Sequence, residues 1–429
     1  MRVSSSLLSQ IGINTMLSQQ KKLSDTQLQL ATGERILAPS DDPYGSARTL
    51  ELSEGISSID QYQKNSTQIE NRLGFEEGTL DSVGNALQRI RELTISANND
   101  SQTSESRKFI QSEIKELLKQ VLALSNTQDS NGEFIFSGYQ GKTKPFDSDG
   151  NGNFNYYGDD GQRFLKVGDT TTVAMGDSGE ATFLDIKNGN GTFKTQDNIN
   201  NTGGGIIDPG TTFGAYVADT YRIEFLPPSS GLANDPVEYY VLDGNDQIIE
   251  PAAQVGDTEA VFLAKIGANT AAGIAYEDGA VIAGLDTNGI KTSISGEPLN
   301  GDSYTISPSN NQSIFATIQN LINTLDSPQQ GTANLTKFHN SMNRNITDID
   351  NSLGSILEVR ASIGARLNTL DKQKSISETF GLQLKTTLSD IQDLDYSEAV
   401  TRLNLQLVGL QAAQNAYTKV QGLSLFNYL

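Results

Sequence analysis

The chain has 429 residues, and its 52 acidic and 31 basic side chains give it a net charge of −21. Such a charge repels nucleic-acid phosphates and anionic lipid headgroups, so we expect neither a nucleic-acid nor a membrane partner. There is no cysteine, which excludes thiolate metal sites, cysteine nucleophiles and disulfides. The single histidine, His339, is expected on the surface of a polar helix, and we assign it no role.

The first residues, MRVSSSLLSQIGINTMLSQQ, lack the continuous apolar segment of about 7–15 residues that a cleaved signal peptide needs. No segment approaches the roughly 18 apolar residues of a membrane span. Taken alone, these features favour the cytoplasm, although they leave open an export route without cleavage.

Helical periodicity dominates the beginning of the chain. Near the N-terminus, apolar residues alternate with glutamine at heptad spacing: Ile13, Met16, Gln20, Leu23, Gln27 and Leu30. After a break at residues 33–43, Asp42 before Pro43 predicts the start of a second helix, because aspartate caps and proline fits the first helical position. Further apolar stripes cover residues 73–97 and 110–124, so we expect long helices there.

Helix-breaking residues are concentrated in the middle of the chain. Between residues 145 and 310 lie 24 of the 40 glycines and 8 of the 11 prolines. Alternating apolar and polar residues predict strands at 132–139, 220–226 and 237–242. Ser309 and Gln312 have the spacing of a capping box, which predicts that a helix begins there.

Heptads are clearest near the C-terminus. Their apolar positions run from Ile346 to Leu370, with Arg360 as the charged exception, and the frame continues more weakly to Ile391. Asp395 and Glu398 fit a capping box, which predicts a separate final helix. We expect that helix to carry the stripe Tyr396, Val400, Leu403, Leu407, Leu410, Gln414 and Tyr417 and to end in an apolar tail.

These patterns predict a mainly α fold, a long-helix bundle or coiled coil built from the two chain ends, with a central β-rich inserted domain. We expect five regions. An inner helix in 1–43 pairs with another in 390–429. Residues 44–144 and 309–389 form the two halves of a helical rod domain, and 145–308 form a variable, solvent-facing β-rich domain.

No motif predicts catalysis, a metal or a cofactor. Asp147, Asp149, Asn151 and Gly152 imitate the start of a calcium loop, but position twelve is a glycine rather than an acid, so we expect a solvated turn. The pairs Asp41-Asp42 and Asp159-Asp160 lie beside turn or cap signals, and Gly203-Gly204-Gly205 is typical of a linker. We therefore expect no catalytic residue, no metal ligand and no cofactor.

The candidate functional residues belong to the terminal stripes. An apolar stripe usually faces the core of its own molecule. Here the stripes are interrupted by glutamine and adjoin no compact domain, so we expect them to pack between copies. The predicted assembly interface comprises Ile13, Met16, Leu23, Leu30, Val400, Leu403, Leu407, Leu410, Tyr417, Leu425, Phe426 and Leu429.

Four segments resemble a known family. LATGERILAPSDDPYGSARTLEL (30–52) resembles a segment that flagellins and flagellar hook-associated proteins share, and NTQDSNGEFIFSGYQGKTKPF (126–146) resembles the hook-associated protein 3 pattern. SGEPLNGDSYTISPSNNQSIFATIQNLINTL (295–325) is similar to the same family. The strongest resemblance is SEAVTRLNLQLVGLQAAQNAYTKVQGLSLFNYL (397–429), whose ending favours a junction protein over a flagellin.

The resemblance implies a flagellin-like fold and a structural role in the bacterial flagellum, at the junction between hook and filament. It implies extracellular localisation after type III export without a cleaved signal peptide. The implied partners are copies of the chain in a ring, the proximal hook–filament junction protein, flagellin and a cytoplasmic chaperone at the C-terminal helix. Alternatives are a flagellin that builds the filament itself, a secreted enzyme centred on the β insert, and a generic coiled-coil binding module.

Overall fold

The described part of the chain begins and ends with a helix in the computed structural model, which describes residues 5–150, 152–232, 235–268 and 270–422. The α-helices of these residues are α1 (Ser5–Thr32), α2 (Pro43–Ala97), α3 (Ser104–Ser125), α4 (Glu259–Gly267), α5 (Ile314–Asp326), α6 (Thr332–Gln392) and α7 (Tyr396–Gly422). All strands lie between Phe146 and Gln312 in the described part of the chain. The predicted fold class, helical ends with a central strand-rich region, is confirmed.

The chain divides into two compact units. The first, here called the terminal unit, comprises the residues up to Thr67, the segment Lys166–Thr172 and the residues from Leu370 onward. The second, the central unit, comprises Gln68–Leu165 and Val173–Thr369. Helices α2 and α6 each contribute residues to both units.

Helices α2 and α6 carry the predicted heptad pattern. Along α2, a set of buried residues recurs every seven positions: Leu52, Ile59, Ser66, Leu73, Leu80, Leu87 and Thr94. Along α6, Ile349, Ile356, Ile363 and Leu370 are buried at the same spacing. In the central unit, ion pairs join the two helices, with Arg360 2.7 Å from Glu77 and Arg91 bonded to Asp350. The seam is thus a coiled-coil interface with charged flanks.

The strands are short, and the registers of their pairings in the described residues are antiparallel. In chain order they are β1 (Phe146–Ser148), β2 (Phe154–Tyr156), β3 (Phe164–Lys166), β4 (Thr172–Ala174), β5 (Ile186–Lys187), β6 (Phe193–Asp197), β7 (Ile206–Ile207), β8 (Thr211–Thr212), β9 (Tyr221–Leu226), β10 (Glu238–Leu242), β11 (Ile248–Glu250), β12 (Ile274–Ala275), β13 (Ile290–Lys291), β14 (Ile294–Ser295), β15 (Ser303–Pro308) and β16 (Asn311–Gln312). The largest sheet has the order β11-β10-β9-β15-β6, and β12 also pairs with β10.

Period-two alternation builds the core of this sheet. Tyr221, Ile223 and Phe225 of β9 are buried, while the residues between them are half-exposed. Tyr239 of β10 lies opposite Phe225 in the antiparallel register. The strands predicted at 220–226 and 237–242 are therefore confirmed.

A second apolar cluster of the central unit surrounds Phe315, at the start of α5. Its ring centroid lies 5.0 Å from that of Phe146, 5.2 Å from Phe154 and 5.9 Å from Phe183. Helix α5 buries seven of its 13 residues, so it anchors the helices to the strands on either side.

Two local predictions of secondary structure were wrong. Residues 132–139 form turns with one isolated bridge at Phe134, not a strand, because Ile135 and Phe136 are buried together rather than alternating. The capping residue of α5 is Ser313, whose hydroxyl accepts from the Ala316 N–H at 3.0 Å, and not Ser309. Ser309 instead donates to the Asn188 carbonyl at 2.6 Å.

The glycine triplet is packed rather than a linker. The N–H of Gly203 donates to the buried Asp302 carboxylate at 3.0 Å, and the Tyr304 hydroxyl donates to the Gly205 carbonyl at 2.9 Å. A Cβ added at Gly205 would lie 2.2 Å from that hydroxyl, so the approach requires glycine.

His339 is also less exposed than predicted. Its side chain is 15% exposed, its Nδ1 lies 2.8 Å from Asn98 Oδ1, and its Nε2 lies 2.9 Å from Asp100. The imidazole therefore joins α6 to the residues that follow α2.

Candidate functional site: the paired terminal helices

Aspartate caps begin two helices in the terminal unit, α2 and α7. The Asp42 carboxylate accepts from the Gly45 N–H at 2.9 Å, and α2 begins at Pro43 as predicted. The Asp395 carboxylate accepts from the N–H groups of Ser397 at 2.8 Å and Glu398 at 3.2 Å. Both predicted helix starts are confirmed, and each cap satisfies N–H groups that have no partner within the helix.

A short antiparallel bridge holds the end of α1 beside the start of α7. The Arg35 N–H donates to the Gln392 carbonyl at 2.7 Å, and the Leu394 N–H donates to the Gly33 carbonyl at 2.9 Å. The Arg35 guanidinium also donates to the Ile391 carbonyl, at 2.7 Å from Nη2. These bonds join segments that lie about 360 positions apart in the chain.

From this bridge, α1 and α7 run antiparallel along each other. The Arg402 guanidinium donates to Gln29 Oε1 at 3.3 Å near the bridge. Farther along, a Cβ added at Gly409 would lie 2.9 Å from the Gln19 amide, and one added at Gly12 would lie 2.8 Å from the Tyr417 ring. Small residues therefore bring the two helices close together at both points.

Only part of the predicted interface lies in the seam between α1 and α7. Six of the predicted residues are half-buried: Met16, Leu23, Leu30, Leu403, Leu410 and Tyr417. Three are exposed, namely Ile13 at 42%, Val400 at 47% and Leu407 at 43%. Leu425, Phe426 and Leu429 lie outside the described residues. The predicted set thus contains residues facing the partner helix and residues facing away from it.

Several outward-facing apolar side chains were missed by the sequence analysis. On α1 they are Leu7, Ile11, Leu17 and Leu28, and on α7 they are Leu405 and Val408. Leu405 is 69% exposed and Val408 is 68% exposed. Leu405 and Val408 lie three positions apart on α7, so a search for a second apolar stripe on that helix would have found them. We call the exposed apolar residues of α1 and α7 the outer face.

The described side chains of the terminal pair form almost no internal core. Among the side chains that the structure describes, Thr26 is the buried residue of α1 and Ala399 that of α7. Helix α5, with half as many residues, buries seven. Most helical stability in proteins comes from tertiary packing, so this pair gains little stability from its own chain.

The other sequence candidates lie in turns and caps. Asp147 pairs with Lys144 at 2.7 Å, and the Asp149 carboxylate accepts from the Asn153 N–H at 3.1 Å in the turn between β1 and β2. The Asp159 carboxylate accepts from the Tyr139 and Gly161 N–H groups, both at 2.9 Å.

Within the ranges described, no cluster of acidic or histidine side chains has the arrangement of a metal site. Among the helices of the same residues, none is long and apolar enough to traverse a lipid bilayer.

Comparisons with known proteins identify the class. Residues 3–141 match the model of the bacterial flagellin N-terminal helical region, and residues 346–429 match that of the C-terminal helical region. The paired terminal helices and these two matches define a flagellin-like protein.

Similarity to one group of relatives extends over nearly the whole chain. Flagellar hook-associated protein 3 of Escherichia coli K12 is 24% identical over 426 residues, which is 99% of each chain. A crystal structure of flagellar hook-associated protein 3 from Legionella pneumophila is 32% identical, with a TM-score of 0.71 over 79% of this chain and 98% of the other. FlgL of Xanthomonas campestris is 28% identical, with a TM-score of 0.67 over 79% and 99%. The chain belongs to the flagellar hook-associated protein 3 family.

Proposed function

We propose that this chain is a non-catalytic structural subunit of the bacterial flagellum that forms the junction between hook and filament. The observation that carries the proposal is the outer face of α1 and α7, which exposes apolar side chains on helices whose described side chains form almost no core. Clusters of exposed apolar residues are typical of protein–protein interfaces. A relative from Legionella pneumophila is described as a flagellar junction protein, which supports the same role.

In this proposal the terminal helices assemble with neighbouring copies into a ring. The predicted interface residues then have two different roles. The half-buried ones, such as Leu23 and Leu403, hold α1 to α7, and the exposed ones, such as Ile13, Val400 and Leu407, contact other subunits. Residues 1–43 and 390–429 form the inner layer, 44–144 and 309–389 the surrounding helical layer, and 145–308 the solvent-facing domain.

The proposed neighbours in the flagellum are the proximal hook–filament junction protein on one side and flagellin on the other. The chain leaves the cell through the flagellar type III export apparatus, without a cleaved signal peptide. A cytoplasmic chaperone holds its C-terminal helix before export. The scarcity of buried residues in α1 and α7 supports this route, because helices that need partners for stability unfold at little cost before export.

Limited proteolysis of the purified monomer is expected to remove the terminal helices first. The central unit buries clusters of aromatic and aliphatic side chains, whereas α1 and α7 bury one described residue each. Local opening is least costly where few apolar contacts are lost, so cleavage should begin outside residues 145–300. Mass spectrometry of the fragments measures this order, and equal resistance of ends and centre would contradict it.

Deleting residues 397–429 is expected to abolish filament attachment while leaving residues 145–300 folded. The deletion removes α7 after its first residue, and thereby the partner of α1, but it touches no residue of the central unit. Electron microscopy of hooks and motility assays measure attachment. Immunoblots of the culture medium serve as the control for export, and circular dichroism of the purified chain checks the central fold.

Normal motility of the deletion strain would refute the junction role. The alternative, a flagellin that builds the filament, shares the matched helical regions. The purified full-length protein separates the two functions: a filament protein grows into long filaments, whereas a junction subunit forms only short stacks.

A further inference from the structure

A carboxyl group lies inside the heptad core of α2. Glu76 is fully buried, and it occupies the position that Ile69 and Val83 occupy one heptad before and after it. A buried acid in a helical seam is costly unless hydrogen bonds and charges compensate it.

The segment 175–184 covers this carboxyl group. The Asp177 N–H donates to Glu76 Oε1 at 3.0 Å. A Cβ added at Gly176 would lie 3.0 Å from Glu76 Oε2, so the backbone of the segment passes directly over that oxygen. Among the described residues, Oε2 has no hydrogen-bond partner. Of the two carboxyl oxygens of Glu76, Oε1 thus accepts a hydrogen bond and Oε2 accepts none from the described residues.

The arginines nearest Glu76 form ion pairs with other carboxylates. Arg72, one turn earlier on α2, pairs with Asp129 at 3.2 Å. Arg366 of α6 pairs with the carboxylate of Asp177, which also accepts from the Gln162 amide. Glu76 therefore shares the field of two cations without a bond to either, and it lies beside the negative charge of Asp177.

The loops packed near Glu76 add one negative and one positive charge, those of Glu133 and Arg163. Glu133 lies 2.9 Å from Arg163 and 3.8 Å from Arg72. These contacts bind the arginines to the loops rather than to Glu76. The charged groups around Glu76 are thus Arg72 on its own helix, Arg366 on α6, and Asp129, Glu133, Arg163 and Asp177 on the covering segments.

We propose that Glu76 is a protonation-dependent clasp, whose neutral form holds the segment 175–184 against α2 and whose ionised form loosens it. When the carboxyl group is neutral, its unpartnered oxygen carries no net charge under the loop. When it is ionised, the charge is buried beside Asp177, and opening the segment admits water to it. The pH of the surroundings then sets how firmly this part of the central unit is closed.

Burial, followed by the charge of Asp177, raises the pKa of Glu76 from 4.5 to about 8. In an opened state the carboxyl group regains its ordinary pKa. Because the closed state binds the proton more tightly, closure is most favourable at low pH and is weakened as pH rises from the opened-state pKa to the closed-state pKa. Above about pH 8, both states are ionised, and the effect levels off.

Hydrogen exchange of the full-length protein tests the clasp. After correction for intrinsic exchange, protection of the amides in 175–184 is expected to fall by up to about tenfold for each pH unit between pH 5.5 and 7.5. Glu76→Gln, which keeps an acceptor for the Asp177 N–H, is expected to remove this dependence. Glu77→Gln is the matched control, because Glu77 is the next residue on α2 and pairs with Arg360 at the surface.

Persistence of the pH dependence in Glu76→Gln, or its loss in Glu77→Gln as well, would overturn the proposal. A second measurement does not depend on how the variant folds. Carbon-13 NMR of carboxyl-labelled glutamate in the wild-type protein reports the titration of Glu76 directly. A midpoint between pH 7 and 9 supports the clasp, and a midpoint near that of an exposed glutamate refutes it.

Discussion

Replacing Leu405 and Val408 by aspartate is expected to abolish filament attachment without unfolding the monomer. Both side chains point away from the α1–α7 seam and are about two-thirds exposed, so the isolated chain loses little packing. Burying a leucine or valine stabilises an interface by about 1.5–3 kcal/mol each. Losing both contributions and burying two charges should weaken each subunit contact by at least about a hundredfold.

Asn404→Asp with Gln411→Asp is the matched control. Both residues are exposed on the same helix, so this variant adds the same two charges but removes no apolar side chain. Swimming, filament counts per cell and the amount of exported protein are measured for both variants. Wild-type filament counts with Leu405→Asp and Val408→Asp would show that the outer face does not bind other subunits.

Replacing Phe315 by alanine is expected to cause the largest loss of stability in the central unit. The ring is fully buried among Phe146, Phe154 and Phe183, at centroid distances from 5.0 to 5.9 Å. Removing a buried phenylalanine costs about 3–5 kcal/mol, because apolar contacts are lost and a cavity remains. Because α5 links strands to helices, the loss should lower the denaturant midpoint of both helical and aromatic signals.

The control for this prediction is Phe109→Ala. Phe109 lies on α3 of the same unit and is 71% exposed, so its removal should change the free energy of unfolding by less than about 0.5 kcal/mol. Equal midpoints for Phe315→Ala and the wild type would mean that the aromatic cluster contributes little to stability.

Much of the helical part of the fold was predictable from the sequence, since heptads and caps are local signals. The start of α2 after Asp42, the start of α7 after Asp395 and the heptads of α6 follow from residues within one or two helical turns. The strands at 220–226 and 237–242 were predictable for the same reason, because alternation is visible within six residues.

What could not be predicted depends on distant contacts. Ser313 rather than Ser309 caps α5, because the hydroxyl of Ser309 is bonded to the carbonyl of Asn188, which follows β5. The packing of Gly203 depends on Asp302, about a hundred positions away. In the terminal helices, the apolar stripe indicated a contact, but only the pairing of α1 with α7 separates seam residues from outer-face residues such as Leu405.

The hydrogen bonds between Gly33 and Leu394 and between Arg35 and Gln392 join the beginning of the chain to its end. A polypeptide made or delivered from its N-terminus therefore cannot complete its terminal unit until the residues just before α7, and α7 itself, are available. Any product cut short before α7 leaves α1 unpaired. If the proposed assembly requires the α1–α7 pair, a subunit that lacks α7 would not assemble.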